Sequence, residues 1–343
     1  MNTQINSKIK IVCIPLILIL ITVILLCVSI GTTNIPFINI FFIFFKKLGF
    51  NFTSEALNTH ELILWNIRLP RVLLASIIGG GLAIVGTVMQ AIFKNPMAEP
   101  SILGWSNGGA FVAVLTIYTG LSQKYILILP FCAFIGTLTT AFAVYKISNF
   151  KGIIENTTLL LSGIAVGALF ISLTTLTLSL SNVWSMKEIL FWIMGGVDAR
   201  SWIHFFLAFI PVAICSFGIL FYAKDLNVLL LGDETAKTTG VDTKKTLILL
   251  IILCSVIVGA SVSVSGVIGF VGLIIPHIMR LIIGVDHRTL LPASFLAGAA
   301  FLPLADLIAR TVLSPQELRL GVITSLIGVP FFIYLLRKNI RTI

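Results

Sequence analysis

Apolar runs of about twenty residues, separated by short polar breaks, set the pattern of this chain. Ten such blocks follow one another: Ile11–Ile30, Val72–Phe93, Ile102–Ile117, Tyr125–Val144, Thr157–Leu180, Trp202–Tyr222, Thr246–Val267, Ile268–Ile283, Leu290–Ala309 and Leu320–Leu336. At a helical rise of about 1.5 Å per residue they match an apolar layer about 30 Å thick. The pattern predicts an all-α integral membrane protein, with about ten transmembrane helices in a tight bundle. Ile102–Ile117 and Ile268–Ile283 are short for a crossing, so they are expected to tilt little or to end inside protein. Pro36–Phe45 and Met186–Gly196 have about half the required length and fit helices at the outer interface or packed on the bundle. Neighbouring blocks nearly touch, so residues 1–343 read as a single polytopic domain. The first block lacks a small-residue cleavage pattern near its end and is expected to be a retained helix.

Composition agrees: 58% of residues are hydrophobic and only 10% charged, against roughly 25% charged in a soluble domain. The net charge of +10 does not point to nucleic acid, because the 23 Lys and Arg are dispersed between the blocks without a dense basic patch. Counted on alternate sides, 14 of them fall on the side of the N-terminus and 9 on the other. That bias predicts cytoplasmic N- and C-termini. Several arginines on the poorer side crowd at helix ends and need a reason to be there. The five cysteines all lie within apolar blocks, with no CxxC or Cys/His cluster, and read as packing residues. Glycines such as Gly79-Gly80-Gly81, Gly86, Gly272 and Gly298 suit close helix packing in lipid, and equally the joints of a moving transporter.

Certain segments carry candidate chemistry. In Arg68-Leu69-Pro70-Arg71 the proline suits a helix's first turn, and the arginines, three apart, share a face. They either snorkel to the interface or grip the carboxylates of an acidic soluble partner. In the run from Gln90 to Gly104, Pro96 and Pro100 force an irregular loop, an ordinary turn or a gate at the inner mouth formed by Asn95, Pro96 and Met97. Gly232, Asp233, Glu234, Ala236 and Gly240 lie in a polar stretch whose acids open, and whose last glycine closes, a short helix on the inner face. It is either a solvated loop or the surface a soluble motor pushes against. His277 and Arg280, followed by Asp286-His287-Arg288, lack a second ligand at metal spacing and read as a structural inner helix end. Asp306 and Arg310, four apart, suggest an ion pair within one helix.

Together these segments resemble the FecCD family of permeases, which import iron–siderophore, haem and cobalamin. The resemblance is densest over 68–110 and 231–336, with the run Gly269-Phe270-Val271-Gly272-Leu273-Ile274-Ile275-Pro276-His277 the most specific. It implies a type II ABC importer permease fold and a homodimer with the path on its two-fold axis. Two cytoplasmic ATPase subunits and one extracytoplasmic binding protein complete the implied complex, in a bacterial inner membrane. By position it implies binding-protein docking by Arg68, Arg71 and Arg310, an inner gate at Asn95 and Met97, and ATPase coupling over 232–240. Arg319 stands where the family usually has proline, which predicts a less rigid last outer loop. Trp105 and Gly109 also depart from the family's pattern beside the path. No GxxxxGK[ST] phosphate loop occurs, so ATP and Mg are expected on a partner chain and no cofactor, metal or catalytic residue on this one. The rival expectation is an ion-coupled secondary carrier, which would bury an ionisable residue near mid-membrane. Asp306 is the acid lying well inside an apolar block.

Overall fold

A computed structural model describes residues 2–31, 33–49, 55–150, 153–232 and 242–340. The helices in order are α1 (Asn2–Ser29), α2 (Phe37–Lys47), α3 (Glu55–Ile63), α4 (Leu69–Ile92), α5 (Trp105–Tyr118), α6 (Ile128–Ser148), α7 (Asn156–Ser179), α8 (Val183–Ile193) and α9 (Trp202–Phe221). They continue with α10 (Ala223–Leu230), α11 (Thr243–Ser265), α12 (Val271–Ile283), α13 (His287–Thr311) and α14 (Leu320–Ile340). Among the described residues, seven helical stretches are long and apolar enough to cross a membrane. The other three predicted blocks form shorter helices, α5, α12 and the apolar part of α14. Both half-length segments are separate short helices, α2 and α8. A two-residue antiparallel ladder, Asn149–Phe150 with Ile153–Ile154, is a small exception to the all-helical expectation.

α4 is buried along nearly its whole length, whereas the still more apolar α1 is mostly exposed. Burial in lipid follows packing rather than hydrophobicity, because hydrocarbon tails and leucine side chains are alike to the helix. α4 sits at the centre against α13, α9, α12 and α11. Its glycines make this possible. A methyl added at Gly79 would strike the Gly298 carbonyl oxygen, and one at Gly298 would strike that of Gly79, so α4 and α13 meet backbone to backbone.

Pro70 stands in the first turn of α4, as expected, yet the helical rod does not begin there. α3 runs through a π turn (Leu64–Arg68) directly into α4, and Leu69 N–H reaches the Leu64 carbonyl. The next donor in that register is missing because Pro70 has no N–H. The carbonyl it would have served, that of Trp65, instead accepts from the Trp202 indole at 2.9 Å. A helix partner elsewhere in the chain thus satisfies the group that proline orphans.

The block Ile268–Ile283 is broken. Residues 266–270 are not helical, Phe270 adopts φ 69°, and α12 starts only at Val271. Its 13 residues give a length of about 20 Å, so it ends inside protein, as its shortness required. α5 likewise starts at Trp105, after a 3₁₀ turn over Pro100–Leu103.

Candidate functional site

At one end of the bundle Arg68, Arg71 and Arg310 converge on a cavity of about 220 Å³, together with Gly31, Thr33 and Glu317. All three arginines are buried, at 5%, 9% and 6% relative exposure. α1 ends here, and its last carbonyls need donors. Arg68 Nη1 donates to the Val28 and Ser29 carbonyls at 2.7 and 2.8 Å, and Nη2 to that of Thr33. Arg310 Nη2 donates to the Cys27 carbonyl. Two guanidinium groups therefore cap α1, with the sign its dipole favours. This supplies the reason for arginine on the side poor in positive charge.

Arg71 grips Asp306 bidentately, Nε and Nη2 each at 2.9 Å, and reaches Glu317 at 2.9 and 3.2 Å. The expected Asp306–Arg310 ion pair within one helix is present, but it is the secondary one. Arg310 Nε stands 3.9 Å from the carboxylate, while Arg71 of α4 takes both oxygens in the fork geometry that two parallel N–H groups impose. Helix spacing alone cannot show a partner 235 residues away. Glu317 is the residue of this cavity to which sequence reasoning gave no role.

Arg319, expected to leave the last outer loop less rigid, is itself anchored. Its Nη1 lies 2.7 Å from both Asp198 oxygens, and its guanidinium rests 4.1 Å from the Phe191 ring centroid. An ion pair and a cation–π contact replace the stiffness of the family's proline. Burial raises the Asp198 carboxyl, but the hydrogen bonds and charge of Arg319 outweigh it and hold the group below its ordinary value. Trp105 is fully buried at the start of α5, and a Cβ at Gly109 would meet the Thr137 hydroxyl.

At the opposite end, the α4 C-terminus leads into Asn95, Pro96 and Met97. Asn95 Oδ1 accepts from Met97 N–H at 2.9 Å, and Ala98 N–H bonds the Asn95 carbonyl. Asn95 and Pro96 are exposed and Met97 is half-buried. Sequence reasoning gave no role to Glu99, which accepts the backbone N–H of Phe270 through Oε1. A carboxylate between Pro96 and Pro100 beside an apolar run must find a donor, and the free N–H groups ahead of α12 provide one. Gln90 is buried, donates to the Gly272 and Leu273 carbonyls, and accepts from Arg280 at 2.9 Å. His277 stacks edge-on against Phe331, centroids 6.0 Å apart. Among the described residues no three His, Cys, Asp or Glu side chains gather as a metal set.

α10 approaches the polar segment. Gly232, at φ +115°, ends the described stretch there. Asp233, Glu234, Ala236 and Gly240 lie outside the described residues. Between α8, the non-helical 267–269 and α14, a cavity of about 640 Å³ is lined by Met194, Val267, Gly269, Gly321, Ser325 and neighbours, none of them ionisable. Irregular backbone at membrane depth is tolerated where it is buried or lines such a space.

The FecCD transport family model matches residues 18–338. The chain is 45% identical over 282 residues to the cobalamin import system permease protein BtuC of Halobacterium salinarum, covering 82% of this chain and 75% of that one. It is 37% identical over 322 residues to the hemin transport system permease protein HmuU of Yersinia pestis, covering 92% and 94%. A solved structure, described as an inward-facing conformation of a metal-chelate type ABC transporter, superposes with a TM-score of 0.84 at 32% identity over 96% of this chain and 99% of the other. The fold is that of type II ABC importer permeases, and the sequence match spans both ends of the bundle and the broken segment between them. The chain belongs to the FecCD transport family.

Proposed function

We propose that this chain is the membrane path of an ATP-driven importer for a bulky metal chelate, an iron–siderophore, haem or cobalamin. The observation that carries this is the cavity of about 640 Å³ without ionisable lining, walled by α8, non-helical backbone and α14. A large chelate needs room and polar backbone there rather than a charged ligand. Two copies face each other across the path, two ATPase subunits bind the end bearing Gly232, and a binding protein delivers cargo at the arginine end. Both termini are cytoplasmic, and the membrane is the bacterial inner one. Asn95, Pro96 and Met97 gate the inner mouth, with Glu99 tying that loop to α12. The secondary-carrier alternative loses its support, since Asp306, the acid it needed, is held by Arg71.

Docking by Arg68, Arg71 and Arg310 takes a narrower form. These arginines are occupied by α1 carbonyls, Asp306 and Glu317, but three positive groups face two carboxylates. The surplus charge at this cavity suits one acidic side chain of the binding protein. Charge reversal at Arg68 or Arg71 would break internal contacts and is a poor probe. Arg310→Gln keeps the size and gives up the charge. It should weaken binding-protein affinity about tenfold, the worth of a charge-assisted hydrogen bond. Unchanged affinity would remove the docking role.

The function itself is tested by uptake of labelled cobalamin, haemin and a ferric trihydroxamate into cells carrying the permease, its ATPase and its binding protein. Uptake should cease when the ATPase is inactivated and should survive collapse of ion gradients by ionophores; the reverse pattern would establish the secondary carrier. Cysteines at 33 and 232 should label with a membrane-impermeant maleimide from opposite sides.

A further inference from the structure

We propose that Asn227 is a positioning residue that joins the ATPase-facing segment to α13, and that α13, welded to α4, carries movement to the arginine cavity. The inference rests on the reading of 232–240 as the ATPase contact. Asp286, His287 and Arg288 were left without a function by the sequence, and they meet α10 here. Asn227 Nδ2 donates to Asp286 Oδ1 at 2.7 Å. Its Oδ1 accepts from the His287 backbone N–H at 2.9 Å and from His287 Nδ1 at 2.8 Å. Asp286 Oδ1 in turn accepts from Arg288 N–H at 3.0 Å, capping α13. One amide side chain thus uses both its ends on the first turn of another helix, filling an N–H that a helix start leaves open.

The position of this clasp gives it leverage. Asn227 stands five residues before Gly232, on a two-turn helix whose Ala223, Leu226 and Leu229 pack on α4 and α13. From Asp286 to Asp306 α13 rises about 30 Å, and at its far end Asp306 holds Arg71 of α4. Between these ends Gly79 and Gly298 bring the two backbones into contact, so the pair cannot slide without collision. A displacement of α10 therefore turns α13 and α4 together, and the arginine cavity with them. Long-range coupling travels through stiff, contiguously packed elements of this kind.

The geometry permits a donor–acceptor exchange. Asn227→Asp sets two carboxylates against each other across 2.7 Å. Adding Asp286→Ser restores a donor. Because Asp286 Oδ1 serves both Asn227 and the Arg288 N–H, the replacement must accept and donate at one atom. A serine hydroxyl still caps Arg288 while its O–H donates to the residue-227 carboxylate, which still accepts from His287. The test uses the full permease–ATPase complex in nanodiscs, with the five native cysteines replaced by alanine. Spin labels go at the exposed positions Ile126 and Leu313, and distances are read by double electron–electron resonance with and without ATP and vanadate. The parent complex should shift by about 2 Å or more. N227D should hydrolyse ATP within about twofold of the parent yet show no shift, and N227D/D286S should recover it. A parent-like shift in N227D, no recovery in the double variant, or loss of ATPase subunits from N227D would each overturn the lever. A parallel variant with 233–240 replaced by Gly–Ser separates the two readings. If it keeps active ATPase and the shift, the ATPase-contact assignment itself fails. If it sheds ATPase while N227D shifts normally, only the lever fails.

Discussion

Removing Arg71 should expose how much of the α4–α13 contact is electrostatic. In Arg71→Met, the Asp306 carboxylate, 2% exposed, keeps only Arg310 Nε at 3.9 Å. Breaking a buried pair by deleting one partner costs about 3–5 kcal/mol, because the remaining charge stays uncompensated. Asp306→Leu is milder, since Arg71 retains Glu317 at 2.9 Å, a carboxylate with 38% side-chain exposure; about 1–3 kcal/mol is expected. The double variant removes both charges and should be close to the parent, as apolar replacement of a whole buried pair often is. The coupling energy is then about 3 kcal/mol or more, well above the roughly 0.6 kcal/mol average for a neutral hydrogen bond between membrane helices. Equilibrium unfolding in mixed micelles, run as a double-mutant cycle, measures it. Single-variant costs that add to within about 0.5 kcal/mol would refute the reasoning.

Three further outcomes follow from the packing. Gly298→Leu drives a side chain into the Gly79 carbonyl and Ala83, so it should cost about 1–3 kcal/mol or block folding; an unchanged unfolding midpoint would show that α4 and α13 are not welded there. Trp202→Phe should cost about 1 kcal/mol through the lost bond to Trp65, and less when Pro70→Ala restores a competing N–H; equal costs in both backgrounds would count against that substitution of partners. The Asp198 carboxyl is held below its ordinary value by Arg319. Its contribution to stability is therefore present above about pH 4, the unfolded value. As pH falls through the lowered folded value that contribution is lost. Arg319→Ala should flatten this acid limb of the unfolding profile, and an unaltered limb would locate it elsewhere.

Which features could be read ahead of the fold depended on the range of the interaction. Ten apolar blocks reported their helices directly, because length against bilayer thickness is a local property. The shortness of Ile268–Ile283 even announced its interrupted path. Pro70 marked the first turn of α4 correctly but hid the continuation of the rod through the π turn, where a tryptophan 132 positions later takes the orphaned carbonyl. Asp306 was legible in part: its neighbour at i+4 does stand within ion-pair distance, but its bidentate partner lies on a helix far earlier in the chain. The arginines' crowding was a sound warning, although their engagement with α1 carbonyls needs the folded end of that helix. Glu99 left no signal beyond being polar near an apolar run, because the Phe270 N–H it accepts carries no residue identity, and Asn227 left none because its partners Asp286 and His287 lie 59 and 60 positions away.

The π turn before Arg68 adds one residue to an otherwise continuous rod. Excising a single position from Leu64–Arg68 would restore regular winding and rotate everything upstream by about 100°. Such a deletion would swing the Trp65 ring off Trp202 and carry α2 and α3 around the axis, though both are joined through Lys46, Lys47 and Glu61. Chain length there sets azimuth, so a single-codon loss should be far less tolerated than substitution of the exposed Asn66 or Ile67.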